Sequence, residues 1–178
     1  MTVTSRPATA SDASELSEVA ALTFPLACPP GTELADIARF VTTVLSEERF
    51  VEYLADDARV VTVIVDDAGA IVGYSMLVGG DPSEADVATV VTARPTIELS
   101  KFYLVSDTHG TGAAATLMTA TLEAAADTGA ATVWLGVNRY NERANRFYEK
   151  NGFGVVGAKR FVVGDQVHDD HVRERTLR

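Results

Sequence analysis

A chain of 178 residues can fold as one domain with a real core, and 47% hydrophobic content without low-complexity tracts excludes a disordered chain. The net charge of −10 argues against nucleic acid, whose phosphates need a basic surface; it either keeps the chain in solution or favours a cationic ligand. With no apolar run long enough to span a membrane, no basic-then-apolar leader and a single cysteine, Cys28, the expected setting is the cytoplasm. The three histidines, 109, 168 and 171, come without a cysteine cluster, so no metal site is expected.

Thr2 to Arg6 is the first strand candidate. Asp12 then reads as a helix cap with Glu15 behind it, and Leu16, Val19 and Ala20 supply a buried stripe. Pro25, Pro29, Pro30 and Gly31 are expected to break the chain. Leu34, Ile37, Ala38, Val41 and Leu45 recur at helical spacing, and a further short helix is expected over Glu47 to Leu54. These helices either wall an acceptor cleft or simply pack. Arg59 to Val65 and Ile71 to Val78, around Asp66-Asp67-Ala68-Gly69, read as a hairpin. Gly79 to Pro95 reads as a loop.

Ile97 to Val105 is a strand that passes through Ser106-Asp107-Thr108-His109-Gly110-Thr111-Gly112 into a helix ending near Gly129. Its apolar face holds Ala114, Leu117, Met118, Leu122 and Ala125. A helix that starts in a Gly-rich turn offers unpaired N–H groups and a positive dipole end, which suits a phosphate or pyrophosphate. Such glycines can equally be plain connectors. The spelling excludes a P-loop, because Ala113-Ala114 stand where Lys-Ser/Thr would be needed. A dinucleotide fold is disfavoured, because the next strand, Ala131 to Val137, ends without an acid.

Asn141 can cap the following helix and Gly152 can end it in the left-handed conformation, with Ala144, Phe147 and Tyr148 on one face. Phe153 to Val163 and Gln166 to Leu177 flank Gly164-Asp165 as a second hairpin. The expected class is therefore α/β (α+β), a single domain over residues 1–178, with a mixed sheet of about seven strands and about four to five helices.

This order, the turn His109-Gly110-Thr111-Gly112-Ala113-Ala114 and the complete pattern Asn141, Ala144, Phe147, Tyr148, Gly152, Phe153 resemble the GNAT acyltransferase superfamily. Val133 to Val137, Asn141 to Phe153 and the ending Phe161 to Asp165, with Asp169 or Asp170 beyond, more narrowly resemble the bacterial PaiA-type polyamine acetyltransferases. The resemblance implies acetyl-CoA as cosubstrate, its pyrophosphate held by His109, Gly110, Thr111, Gly112, Ala113 and Ala114. His109 stands where the family usually has Gln or Arg, so the backbone carries the cradle there. Phe102 and Leu104 would pair with the pantetheine as an added strand, and Asn141 and Arg143 would lie beside the cofactor.

The resemblance also implies Tyr148 as general acid toward the departing thiolate; read alone, Tyr148 is equally an aromatic core residue. Glu98 is a candidate base, or else a solvated or salt-bridged strand residue. Asp169 and Asp170 either bind a second ammonium of a polyamine or are surface hairpin acids. His168 and His171 read as surface side chains. The expected function is acetyl transfer from acetyl-CoA to a small-molecule primary amine, first a polyamine, by direct attack in a ternary complex. Rival readings are another amine (an amino acid, an antibiotic or a protein N-terminus) and a CoA-binding sensor without turnover. A homodimer is compatible with the family resemblance.

Overall fold

The computed structural model describes residues 2–108 and 111–177. Strands β1 (Thr4–Pro7), β2 (Arg59–Val65), β3 (Ile71–Gly79), β4 (Thr96–Leu104), β5 (Thr132–Asn138), β6 (Gly154–Val163) and β7 (Gln166–Thr176) form one seven-stranded sheet in the order β1-β2-β3-β4-β5-β7-β6. Around it lie α1 (Ala13–Ala27), α2 (Leu34–Val44), α3 (Glu47–Ala55), α4 (Ala85–Val90), α5 (Ala113–Asp127) and α6 (Glu142–Lys150). Neighbouring strands are antiparallel except β4 and β5, which run parallel because α5 carries the chain back between them.

Alternation along the strands divides the core. Val61, Val63, Tyr74 and Met76 face α1 and α3, where they meet Leu16, Ala20, Phe24 and Phe50. The other face carries α5 and α6: Ile64 and Val72 meet Leu117, while Leu77, Leu99 and Leu135 meet Met118, Ala125 and Phe153. One polar pair is sealed inside it, the Ser75 and Thr121 hydroxyls at 2.6 Å. Thr121→Val leaves the Ser75 hydroxyl buried without that partner and is expected to cost about 1–2 kcal/mol by urea unfolding. A loss below about 0.5 kcal/mol would mean that Ser75 is satisfied another way.

Three expectations are corrected. Pro25 does not break the chain; it sits in the last turns of α1, where the hydrogen bond it forfeits is to the carbonyl of solvent-facing Ala21. The segment 79–95 is not all loop, because Val87 and Val91 bury themselves against Trp134 and Val172 and so hold the short α4 in place. Asp12 does not cap α1 with its side chain. Its carboxylate takes Arg6 (2.7 and 3.0 Å) and the Thr9 N–H (2.7 Å), and these bonds hold its pKa down to about 2. Glu15 likewise turns away from the cap and accepts the Ile71 N–H at 2.6 Å. No helix of the described residues is long and apolar enough to cross a membrane.

Candidate active site

The sheet comes apart where the chemistry is expected. β4 and β5 pair only at Thr96, Ile97 and Glu98 against Thr132, Val133 and Trp134, and then diverge into a fork. The β3–β4 register shifts between Met76 and Leu77, which pair with Lys101 and Leu99 and leave Ser100 as the extra residue of a bulge. The bulge bends β4 away from β5. It also sets Glu98 and Lys101 on the same face of the sheet, since their partners Val78 and Met76 both belong to the α1 side.

Beyond the fork β4 has a free edge. The Val105 N–H donates to Val72 on β3 at 3.0 Å, and backbone directions alternate along a strand. The amides of Phe102 and Leu104 therefore point the other way, into the fork. An extended ligand laid there would find them as unpaired strand donors. At the far end, Gly112 adopts φ 84°, a left-handed conformation that glycine tolerates, and turns the chain into α5. The first helical bond runs from the Thr116 N–H to the Gly112 carbonyl at 3.0 Å, so the N–H groups of Ala114 and Ala115 precede the ladder. Thr111, Ala113 and Ala114 thus lie where an anion can meet backbone donors and the helix dipole. His109 and Gly110 lie outside the described residues.

A cavity of about 350 Å³ passes through the fork. Tyr148, Ala144 and Asn141 line it from α6; Phe24 and Cys28, from α1 and just beyond it, and Phe40 of α2 line it from the opposite face. The side chains of Glu98, Lys101 and Tyr103 on β4, Lys159 and Phe161 on β6, and Asp170 on β7 complete the wall. Of the helices after β1, α1 and α2 line one side of this cleft, whereas α3 supplies none of its lining residues and packs against the sheet.

Tyr148 is held from several directions. Its ring packs against Phe102 (6.3 Å between centroids), Phe147 (5.6 Å) and Phe153 (5.8 Å). Asn141 caps α6 by accepting the Ala144 N–H at 3.0 Å, and Gly152 at φ 81° ends the helix. Asn145 donates to the carbonyls of Asn138 and Asn141 and accepts from Arg173, which also donates to the Phe153 carbonyl. Burial pushes the Tyr148 phenol up from its ordinary pKa, so it keeps its proton at neutral pH. Its hydroxyl makes no hydrogen bond among the described residues. Arg143, in the first turn of α6, is exposed and does not line the cavity.

Glu98 is half-buried, forms no ion pair among the described residues, and is pushed up by burial while Lys159 and Lys101 pull it back. Lys101 carries no distinct signal in the sequence, yet burial lowers it to about 8 despite the opposing pull of Glu98. The two hairpin acids separate. Asp169 is exposed and paired with Arg139 at 3.0 Å, whereas Asp170 is buried and faces the cavity, raised to about 6 by burial. His168 and His171 are half-buried rather than surface side chains. Among the described residues no group of His, Cys, Asp or Glu could hold a metal ion.

The acetyltransferase (GNAT) family pattern matches residues 31–153. An N-acetyltransferase of Mycobacterium tuberculosis and one of Mycobacterium bovis, both described as uncharacterized, are 48% identical to this chain over 166 residues, covering 93% of it and 98% of each relative. The structure is similar to the PaiA N-acetyltransferase of Thermoplasma acidophilum in complex with coenzyme A (TM-score 0.77, 19% identity, 99% of both chains). It is also similar to the ribosomal-protein-S18-alanine N-acetyltransferase of Escherichia coli (TM-score 0.69, 16% identity, 99% of this chain and 94% of that one). The chain belongs to the GNAT acetyltransferase family and is an acetyl-CoA-dependent N-acetyltransferase.

Proposed function

We propose that the protein transfers acetyl from acetyl-CoA to a small-molecule primary amine in a ternary complex, with Tyr148 as general acid and Glu98 as the proton acceptor. The observation that carries this reading is the single cavity that joins the open edge of β4, the Tyr148 ring and a carboxylate-bearing acceptor side across the fork. The residues suit the donor: Phe102 and Leu104 offer backbone to the pantetheine, and the turn from Thr111 to Ala114 offers the Ala114 amide and the helix dipole to the pyrophosphate, with Asn141 beside them. Bound there, acetyl-CoA supplies the thioester whose acyl carbon the amine nitrogen attacks. The amine forms the C–N bond, the C–S bond breaks, and the electron pair leaves on sulfur. Tyr148 Oη donates a proton to that sulfur, and Glu98 takes the proton the amine sheds. Backbone N–H groups of the forked strand stabilise the charge that develops on the carbonyl oxygen. Solvent then carries a proton from Glu98 back to Tyr148.

A polyamine such as spermidine or spermine is the first acceptor. The net charge of −10 and the cavity carboxylates support it, as does the likeness of fold to a PaiA enzyme. A second reading keeps the donor and substitutes an amine with an apolar body. It is favoured by the wall in which Phe24 stacks on Phe40 at 4.3 Å and Phe161 meets Phe40 edge-on at 6.2 Å. The setting is the cytoplasm, in keeping with the free thiol of Cys28.

The test is CoA thiol release from acetyl-CoA across a panel of spermidine, spermine, arylalkylamines, amino acids and N-terminal peptides. Turnover restricted to one class names the acceptor; tight CoA binding with no turnover on any amine favours a sensor. Glu98→Gln is expected to lower kcat/KM about 10- to 100-fold and to erase the acid limb of the pH profile of kcat, which reports the substrate-bound enzyme. That limb should lie above the ordinary carboxylate range, because burial raises Glu98. An acid limb that survives in the variant assigns the ionisation to another group.

A further inference from the structure

Asp170 is unusual among the carboxylates of the chain. It is 6% exposed, lines the cavity, and its Oδ1 has no hydrogen-bond partner among the described residues. It stands beside Asn138 of β5 and Lys159 of β6 in the strand register. Lys159 attracts it but forms no ion pair with it: Lys159 Nζ is committed to Glu84 at 2.7 Å and lies 5.6 Å over the Trp134 ring.

Gly136 leaves room for the Lys159 stem beside Asp170. A Cβ there would come within 3.4 Å of Asp170 Oδ2 and within 3.1 Å of the Lys159 side chain. Gly136 lies two positions beyond Trp134, the last β5 residue to pair with β4, so the carboxylate sits over the mouth of the fork. A buried carboxylate with a free oxygen is costly unless a donor or a cation arrives to meet it. The open side of this one is the acceptor half of the cavity, where Phe24, Phe40 and Phe161 stand beside Glu98 and Lys101.

We propose that Asp170 is the carboxylate that receives the ammonium group of the acceptor, which sheds one proton to solvent before the neutral amine attacks and loses its second to Glu98, and so determines that the enzyme takes cationic amines. The inference rests on the acetyl-transfer reading and adds to it the residue that selects the acceptor. Lys159 and Gly136 are positioning residues, the first by packing and the second by leaving room. The carbon body of the acceptor lies against Phe40 and Phe161.

The experiment compares wild type, Asp170→Asn and Asp170→Glu in steady-state thiol release with spermidine and with phenethylamine, alongside calorimetric titration of acetyl-CoA. Loss of one charge-assisted contact predicts a rise in amine KM on the order of 10- to 100-fold in Asp170→Asn, larger than any change in kcat. Acetyl-CoA affinity should stay within about threefold, because the amide preserves the packing and the donor binds on the other side of the fork. Asp170→Glu should recover part of the KM. Amine KM values unchanged in Asp170→Asn, or a fall confined to kcat, would overturn the proposal while leaving acetyl transfer standing. Wild type that turns over neither amine would also overturn it. Failure of wild type to bind acetyl-CoA would instead remove the reading beneath it.

Discussion

Replacing Tyr148 by phenylalanine is expected to lower kcat for acetyl transfer by about 100- to 1,000-fold while leaving acetyl-CoA affinity within about threefold. The ring is the part of Tyr148 that packs, against Phe102, Phe147 and Phe153, and phenylalanine keeps all of it. The hydroxyl is the part with no partner among the described residues. It contributes nothing to packing and is free to serve the reaction. Burial raises its pKa, so the proton is present across the neutral range and no alkaline limb from Tyr148 is expected below the ordinary tyrosine value. Stability should not fall, since the substitution removes a polar group from an apolar surround. Thermal unfolding and acetyl-CoA titration of the same preparation separate the chemical effect from misfolding. A drop in kcat smaller than about threefold would remove Tyr148 as the acid and leave it as an aromatic anchor of α6.

Much of this arrangement is legible in the sequence, and the reason is local. Asn141 and Gly152 announce both ends of α6 through capping chemistry that needs no distant partner, and Tyr148 follows from its place between them. Gly112 marks the start of α5 for the same reason. The hairpins β2–β3 and β6–β7 are carried by turn residues between β-branched runs. What is not legible is set by contacts across the sheet. α4 is six residues long, too short to be stable by propensity, and exists because Val87 and Val91 find Trp134. Pro25 is read as a breaker because nothing local says that its lost bond falls on the solvent side of α1.

The acceptor half of the site is hidden for a related reason. Alternation along β7 says that Asp169 and Asp170 face opposite sides, but not which of them faces the cavity. That depends on the register with β5 and on the bulge in β6 between Val155 and Gly157. Lys101 would normally face away from Glu98, three residues earlier, and the extra residue Ser100 brings them to one face. Register and bulges belong to pairs of strands, and one strand read alone cannot reveal them.

Asp170→Asn is expected to raise stability at neutral pH, by an amount that vanishes in acid. Burial lifts the Asp170 carboxyl from its ordinary 3.8 to about 6, against the weaker pull of Lys159 and with Glu84 and Asp169 pushing the same way as burial. A folded-state pKa above the unfolded value means that the native state binds the proton more tightly. The stability contributed by the protonated carboxyl is therefore full below about pH 4 and is lost as pH rises through about 6. A shift of this size corresponds to up to about 3 kcal/mol, and asparagine, which does not ionise, escapes the loss. The melting temperature of the variant should exceed that of wild type by roughly 5 °C or more at pH 7.5, and the gap should close near pH 4. Lys101, Lys159 and Tyr103, which line the same cavity, are present in both proteins and cancel in the comparison. A gap of equal size at both pH values would show that the substitution acts by packing, and no gap at pH 7.5 would show that the carboxylate is already compensated. Spermidine added at about 100 times its dissociation constant should stabilise wild type by about 2.7 kcal/mol and the variant far less, which narrows the gap at pH 7.5. The instability that Asp170 carries in the free enzyme is then relieved by the cation it binds, and this is why a buried, unpaired carboxylate can persist at the mouth of the fork.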